Sequence, residues 1–313
     1  MIKYFLRAFK ITNENIILTT PLVLFLFVLT IYLGVAKTAP ANIFSLLLLS
    51  LTILFMLSAF FAGWFYMIKK AIDIDKVEFI IEEEKAKASF GLLKEFPCGI
   101  GEFFLSLNGG IILYSVLFVA FIFLAYIIGQ HYIGDFGLGM DSLKNALSSP
   151  EAMKSLLGSL SSEQLIKMNA WNFLVMGTTS LFSFVTMFWT AEIIYNTKNP
   201  FFAFFKSLKF TFKNFLSALI LFVYISFVNF TVSLINALST SNTILYFISM
   251  LIYFYFVVYI IVLVFLYYDR EKTSTIEYYI TDETNADSAQ DSGDSGSDSI
   301  GQEQSGNSDG EGN

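Results

Sequence analysis

Six long apolar stretches constrain this chain more than any other feature of its sequence. A helix that crosses a bilayer needs about 20 mostly apolar residues, because an unpaired backbone amide in hydrocarbon is costly and a helix pairs its own amides. The predicted spans are residues 16–35, 43–68, 102–128, 169–195, 214–238 and 244–268. The sequence therefore predicts an all-α fold, a polytopic membrane helix bundle of six spans.

Composition agrees with lipid as the main solvent. Hydrophobic residues make up 55% of the chain and charged residues only 14%, whereas soluble domains contain about 25% charged residues. There are 36 Phe residues, which a single aqueous core of this length could not hide without large exposed apolar patches. A water-soluble fold is therefore excluded.

The net charge of −7 belongs to the C-terminal part of the chain. Residues 273–313 contain ten Asp or Glu and no Lys or Arg, and the composition there changes to Ser, Gly, Asp, Asn and Gln. Such a segment cannot bury enough apolar area to offset the ordering of its backbone. We expect residues 269–313 to form a disordered acidic cytoplasmic tail.

The distribution of basic residues predicts the orientation. Counted on alternate sides of the six spans, 15 Lys and Arg fall on one side and four on the other. Basic residues favour cytoplasmic loops, so both termini are expected in the cytoplasm and residues 131–168 form an external loop. The predicted domains are an amphipathic N-terminal elbow, 1–15, a six-span membrane domain, 16–268, and the tail.

Two short helices are predicted in the external loop. Ser149 stands before Pro150 and Glu151, and Ser161 or Ser162 stands before Glu163. Both patterns are typical of helix starts. We expect these helices on the outer leaflet or across the mouth of the bundle. The more specific alternative is that they form a substrate-binding lid.

A short amphipathic segment precedes the first, third and fifth spans. Each has an apolar-apolar-basic-x-apolar pattern, and a polar residue stands eight positions after the basic one. This spacing predicts an interfacial elbow helix whose cation reaches the headgroups and whose polar residue marks the turn into lipid. Because Phe and Lys are abundant, composition alone is the alternative explanation. The candidate residues are Arg7 with Asn15, Lys94 with Glu102, and Lys206 with Asn214.

This elbow motif, best seen in residues 202–216, resembles that of poorly characterised bacterial six-helix membrane proteins related to the membrane domain found beside some glycerophosphoryl diester phosphodiesterases. The resemblance covers about the first 270 residues. It implies an architecture more than a role, and a location in the bacterial plasma (inner) membrane. The phosphodiesterase domain itself is not expected, since no segment outside the spans is long enough for its barrel.

Polar residues recur at helical spacing on the fourth and fifth spans. Small hydroxyl and amide side chains on one face favour close helix packing with interhelical hydrogen bonds, and a polar permeation path is the alternative. We expect the two stripes to face one another or the bundle interior. They consist of Asn172, Thr179, Ser183, Thr186 and Thr190 on the fourth span and Ser226, Asn229, Ser233 and Asn236 on the fifth.

Residue types that usually act as catalytic groups or metal ligands are scarce in this sequence. With one cysteine, Cys98, and one histidine, His131, the chain has too few ligands for a His/Cys metal cluster and cannot form an intramolecular disulfide. Neither a phosphate-binding loop nor a dinucleotide-binding Gly pattern occurs. We therefore predict no catalytic residues, no metal site and no cofactor.

Ionisable residues avoid the span centres. An ion or proton pathway would place such groups there, so their absence weighs against a proton-coupled transporter. Glu102 and Glu192 lie within about two turns of a cytoplasmic end. We expect them to act as interfacial anchors that reach water or pair with Lys94 or Lys198.

Three hypotheses for function remain. The favoured one is a non-enzymatic integral membrane protein that organises lipid or assists the assembly of other membrane proteins. A permease, or the membrane subunit of a transporter working through the fourth and fifth spans, is the alternative, and an enzyme is the least favoured. The expected partners are the lipid bilayer and a membrane protein. Nucleic acid is not expected, because phosphate would repel the acidic tail.

Overall fold

The structure is a computed structural model that describes residues 1–37, 42–77, 82–135, 144 and 149–291, with the backbone alone at residues 82, 150, 157 and 272–291. Every regular element in these ranges is helical, which confirms the all-α prediction. In chain order the helices are α1 (Ile2–Glu14), α2 (Thr19–Ala36), α3 (Ile43–Asp75), α4 (Glu82–Tyr132), α5 (Pro150–Ser159), α6 (Ser162–Thr186), α7 (Trp189–Tyr195), α8 (Pro200–Lys213), α9 (Phe215–Ser239) and α10 (Thr243–Asp291), and a 3-10 turn, Ile16–Leu18, precedes α2.

Six helical segments are long and apolar enough to cross a membrane, which fits an integral membrane protein and confirms the predicted bundle. They are Ile16–Ala36, Ile43–Asp75, Glu83–Tyr132, Ser162–Tyr195, Phe215–Ser239 and Thr243–Glu271. Since consecutive spans run in opposite directions, α1, the end of α3, the start of α4, and α8 lie at one end of the bundle. We call this end the elbow side.

The two helix starts predicted between the third and fourth spans are both present. The Ser149 hydroxyl accepts a hydrogen bond from the Ala152 amide at 3.1 Å and begins α5. Ser161 and Gln164 form a reciprocal capping box that begins α6. The second helix does not stop inside the loop, however. It continues as the fourth span, because no Gly or Pro interrupts its first two turns.

Contacts between Cα atoms divide the chain into two units, Met1–Tyr268 and Asp269–Asn313. This division falls at the predicted boundary between the membrane domain and the tail. Within the second unit, α10 continues as helix to Asp291. The predicted tail therefore begins as helical backbone, which needs only propagation of an existing helix, and residues 292–313 lie outside the described residues.

The core of the first unit is concentrated at the elbow side. Its largest fully buried side chains include Trp64 and Ile68 on α3, Phe188 before α7, and Phe265 and Tyr267 on α10. The opposite ends of the same helices are open. Ile43 at the start of α3 is 84% exposed and Ile244 on α10 is 72% exposed. The spans therefore pack against one another mainly on the elbow side, where the candidate elbow residues lie.

Candidate functional site

The first elbow is a separate helix, α1, with one face buried against the bundle. Ala8, Ile11 and Thr12 on this face are fully buried. At its end, the backbone amide of Asn15 donates to the Ile11 carbonyl at 3.0 Å, and the Asn15 side-chain amide donates to the same oxygen at 2.9 Å. Asn15 therefore satisfies the last turn of α1 and ends it where the chain turns into the first span.

The third elbow, α8, repeats this arrangement at the matching positions. Ala203, Ser207 and Thr211 are its buried residues. Asn214 donates to the Phe210 carbonyl from its backbone amide at 3.0 Å and from its side chain at 3.3 Å. The hydroxyls of Thr12 and Thr211 each donate to the carbonyl four residues earlier, at 2.9 Å in both elbows. The predicted repeat is therefore present in the structure as the two elbow helices α1 and α8.

The second predicted elbow is not a separate helix. Lys94 and Glu102 both lie inside α4, which runs without interruption from Glu82 to Tyr132 and contains Pro97. Glu favours helix interiors, and unlike Asn its carboxylate has no N–H donor for a carbonyl of the preceding turn. Glu102 instead lies 3.2 Å from Lys198, one of the two pairings that the sequence predicted.

The cation of the first elbow does not reach outward to the headgroups as predicted. Nε of Arg7 lies 2.5 Å from Oδ2 of Asp75 at the end of α3. Their side chains are 30% and 8% exposed. Glu14, at the end of α1, pairs with Lys85 of α4 at 2.7 Å. Two ion pairs thus attach α1 to the hairpin of α3 and α4, and the sequence had predicted neither pairing.

A cleft of about 450 Å³ lies among α2, α3 and α4. Its lining comes from the first turns of α2, the middle of α3 and the part of α4 around Pro97, and the side chains are apolar. Leu24 and Val28 at its rim are 59% and 50% exposed, so the cleft opens to the surface of the bundle. The lining residues include Leu24, Val28, Met56, Ala59, Phe96 and Ile100.

Glu192 is buried, not interfacial as predicted, and is only 1% exposed. The Tyr268 hydroxyl on α10 donates a hydrogen bond to Oε2 of Glu192. Nδ2 of Asn196 donates to the same oxygen at 3.2 Å and to the Tyr268 hydroxyl at 3.0 Å. Nearby, Nζ of Lys69 on α3 donates to the Ile194 carbonyl at 3.2 Å. This polar cluster joins α3, α7 and α10 on the elbow side.

The fourth span is broken shortly before Glu192. The span is continuous in hydropathy, but α6 ends at Thr186 and α7 begins at Trp189. The break lets the Trp189 indole donate to the Pro200 carbonyl at 2.8 Å, which ties the end of the span to α8. Neither Gly nor Pro marks the break, so the sequence pattern could not reveal it.

The stripe on the fourth span does not form one buried face. Asn172 and Ser183 are exposed, Thr179 is half-buried, and only Thr186 is buried. The Thr186 hydroxyl donates to the Phe182 carbonyl of its own helix at 2.8 Å, not to a residue of the fifth span. Thr190 lies beyond the break, on α7, and lines a separate apolar cavity of about 310 Å³.

The stripe on the fifth span lies mostly on the surface of α9. Ser226, Asn229 and Ser233 are exposed and Asn236 is half-buried, so the prediction that both Asn side chains are shielded is wrong for Asn229. Asn236 accepts a hydrogen bond from Ser249 of α10 at 2.6 Å. The two stripes therefore do not face one another, because the residues that α9 buries are the apolar Ala218, Leu221, Ile225 and Val232 instead.

Comparisons with protein families, with curated proteins and with solved structures found no significant match to this chain. The resemblance of the elbow motif to the phosphodiesterase-associated membrane domains therefore stays a prediction. Among the described side chains, no three His, Cys, Asp or Glu come together in a group that could hold a metal ion. The elbows, the apolar cleft and the Glu192 cluster are thus the features from which a function can be argued.

Proposed function

We propose that this chain is a non-enzymatic integral membrane protein that organises lipid in the leaflet on its elbow side. The observation that carries this proposal is the apolar cleft among α2, α3 and α4. A cleft that opens to the hydrocarbon of a bilayer, with no charged side chain in its lining, suits a phospholipid acyl chain.

The position of the cleft supports the same proposal. Pro21 and Leu24, which line it, lie within two turns of the start of α2, and α1 lies at that end of the span. A lipid whose chain entered between Leu24 and Ile100 would therefore have its headgroup near the elbow side. Elbow helices in the interface and a cleft just above them are the parts that a protein needs in order to hold individual lipids.

We further propose that the elbow side faces the cytoplasm, and that the membrane is a bacterial plasma membrane. The supporting observation is the excess of basic residues, 15 against four, on this side, since basic residues favour cytoplasmic loops. The permease alternative has less support, because Ser226, Asn229 and Ser233 lie on the exposed surface of α9 while the Thr186 hydroxyl bonds to Phe182 of its own helix. The two stripes thus have different surroundings.

Filling the cleft tests the lipid-organising role. In Ala59→Phe the new ring would occupy the cleft, whereas Ala120→Phe places the same ring at an exposed position on α4. The probe is a phosphatidylcholine carrying a spin label near the end of one acyl chain, in proteoliposomes. We expect Ala59→Phe to lower the fraction of immobilised lipid and Ala120→Phe to leave it unchanged. An equal fraction in both variants and the parent would contradict the proposal.

A further inference from the structure

The outward face of α8 combines aromatic and basic side chains. Phe201, Phe205 and Phe212 are all more than half exposed, and a helix with 3.6 residues per turn places these three positions on one face. Lys206 and Lys209 are also exposed and lie along the edge of that face. An apolar strip beside a basic strip is the arrangement of a helix that lies in a membrane interface.

These lysines differ from several other basic residues of the elbow side. Arg7, Lys85 and Lys198 each lie within ion-pair distance of a carboxylate. Lys206 and Lys209 have no such carboxylate anywhere in the described part of the chain. Within the described residues no carboxylate neutralises their charge, and it is available to an anion at the membrane surface.

The rest of α8 is held firmly, so the face is presented in a fixed orientation. Asn199 caps its start by accepting hydrogen bonds from the amides of Phe201 and Phe202 at 3.0 and 3.3 Å. The Trp189 indole bonds to the carbonyl of Pro200. Asn214 ends the helix and Ser207 is fully buried beneath it. A ligand therefore meets a preorganised surface and pays little to order it.

We propose that Lys206 and Lys209 bind the phosphate of anionic phospholipid headgroups while Phe201, Phe205 and Phe212 insert among the acyl chains of the same leaflet. This inference rests on the proposed lipid-organising role and names its lipid class. The occupant is a membrane lipid rather than free phosphate, because the lysines lie directly beside the exposed Phe rings. It also assigns headgroup recognition to Lys206 and Lys209 rather than to Arg7 of α1, which is bound to Asp75.

The test measures lipid selectivity with the full chain in nanodiscs. Binding of phosphatidylglycerol and of phosphatidylcholine is compared for the parent, for Lys206→Gln/Lys209→Gln, and for Lys144→Gln/Lys154→Gln. The last variant removes two exposed lysines from the segment between α4 and α6, at the opposite end of the bundle. It matches the change in net charge without touching α8.

We expect phosphatidylglycerol binding to fall about fivefold for each lysine removed from α8, the effect of one basic residue near an anionic surface. Phosphatidylcholine binding should not change, the variant at residues 144 and 154 should resemble the parent, and Lys206→Arg/Lys209→Arg should retain selectivity. Unchanged selectivity in the α8 glutamine variant, an equal loss in the control variant, or displacement of the lipid by inorganic phosphate would each overturn the inference.

The outcome can be separated from failure of the proposed function. The spin-label experiment on the cleft uses a zwitterionic lipid and the Ala59→Phe variant, so it does not depend on the charge of α8. Selectivity lost in Lys206→Gln/Lys209→Gln with no effect of Ala59→Phe would support headgroup binding and contradict the acyl cleft. An effect of Ala59→Phe with unchanged selectivity in Lys206→Gln/Lys209→Gln would support the acyl cleft and contradict headgroup binding.

Discussion

Gly63 and Gly99 meet where α3 crosses α4. A Cβ atom built on Gly99 would lie 3.0 Å from the Gly63 Cα, 2.7 Å from the Ala62 carbonyl oxygen and 2.5 Å from the Tyr66 Cβ. The two backbones can approach this closely only because neither residue has a side chain, a device common between helices in membranes. This crossing fixes the hairpin against which α1 and α2 pack.

The glycine crossing predicts an asymmetric result for two alanine variants of α4. Gly99→Ala should lower the free energy of unfolding by about 1–3 kcal/mol, because the added methyl group overpacks a backbone contact. Gly101→Ala is the control, since a Cβ there meets no atom within 4 Å, and it should be neutral or stabilising. Thermal unfolding in detergent measures both. Equal stability of the two variants would show that the crossing is looser than described.

The ion pair between Arg7 and Asp75 should contribute to the stability of the elbow. Arg7→Ala should cost about 1.5–3 kcal/mol, because it leaves the mostly buried Asp75 carboxylate without its charged donor. Lys3→Ala, an exposed position on the same helix, should cost little. The charge-swapped pair Arg7→Asp/Asp75→Arg should recover part of the loss in the same unfolding assay, and no recovery would argue against a direct contact.

The Glu192 cluster predicts a cost for removing one hydroxyl. Tyr268→Phe deletes a hydrogen bond to a buried carboxylate, which should lower stability by about 1–3 kcal/mol. Tyr253→Phe removes the hydroxyl of a more exposed residue on the same helix and should have little effect. The two losses are compared by measuring the melting temperatures of both variants in the same detergent. A larger loss in Tyr253→Phe would be incompatible with the cluster.

The surroundings of the two Asn residues on the fifth span predict different effects on stability when each is replaced by Leu. Asn236→Leu removes the hydrogen bond to Ser249 and should cost about 0.6 kcal/mol, the average for such bonds in membrane helices. Asn229→Leu should be neutral or stabilising, because Asn229 is exposed and makes no hydrogen bond within the described residues. If Asn229→Leu were the more destabilising variant, another surface in the membrane would have to cover that face of α9.

The orientation is tested by thiol labelling. The native Cys98 is exposed, so Cys98→Ser is the background. A cysteine introduced at Ser155 on α5 should react with an impermeant reagent added from outside intact cells, and one at Lys209 on α8 should react only after lysis. Both positions are exposed, so burial does not confound the comparison. The reverse pattern would show that the elbow side is external.

Local patterns predicted several parts of this structure correctly. The number and position of the spans depend on runs of apolar residues, and the starts of α5 and α6 depend on Ser149 and Ser161, each of which acts within one turn. The turns at Asn15 and Asn214 are equally local, because each Asn caps the carbonyl four residues before it. These features needed no knowledge of the neighbouring helices.

Sequence patterns alone were thus enough to predict an all-helical, six-span bundle and two separate elbow helices of the three expected. Tertiary structure decided that Arg7 pairs with Asp75, 68 positions away, and that Glu192 is buried against Tyr268, 76 positions away. It also decided that Asn229 lies on the exposed surface of α9. The physical reason is that hydropathy and capping act within a few turns of one helix, whereas burial depends on how each helix is rotated against its neighbours.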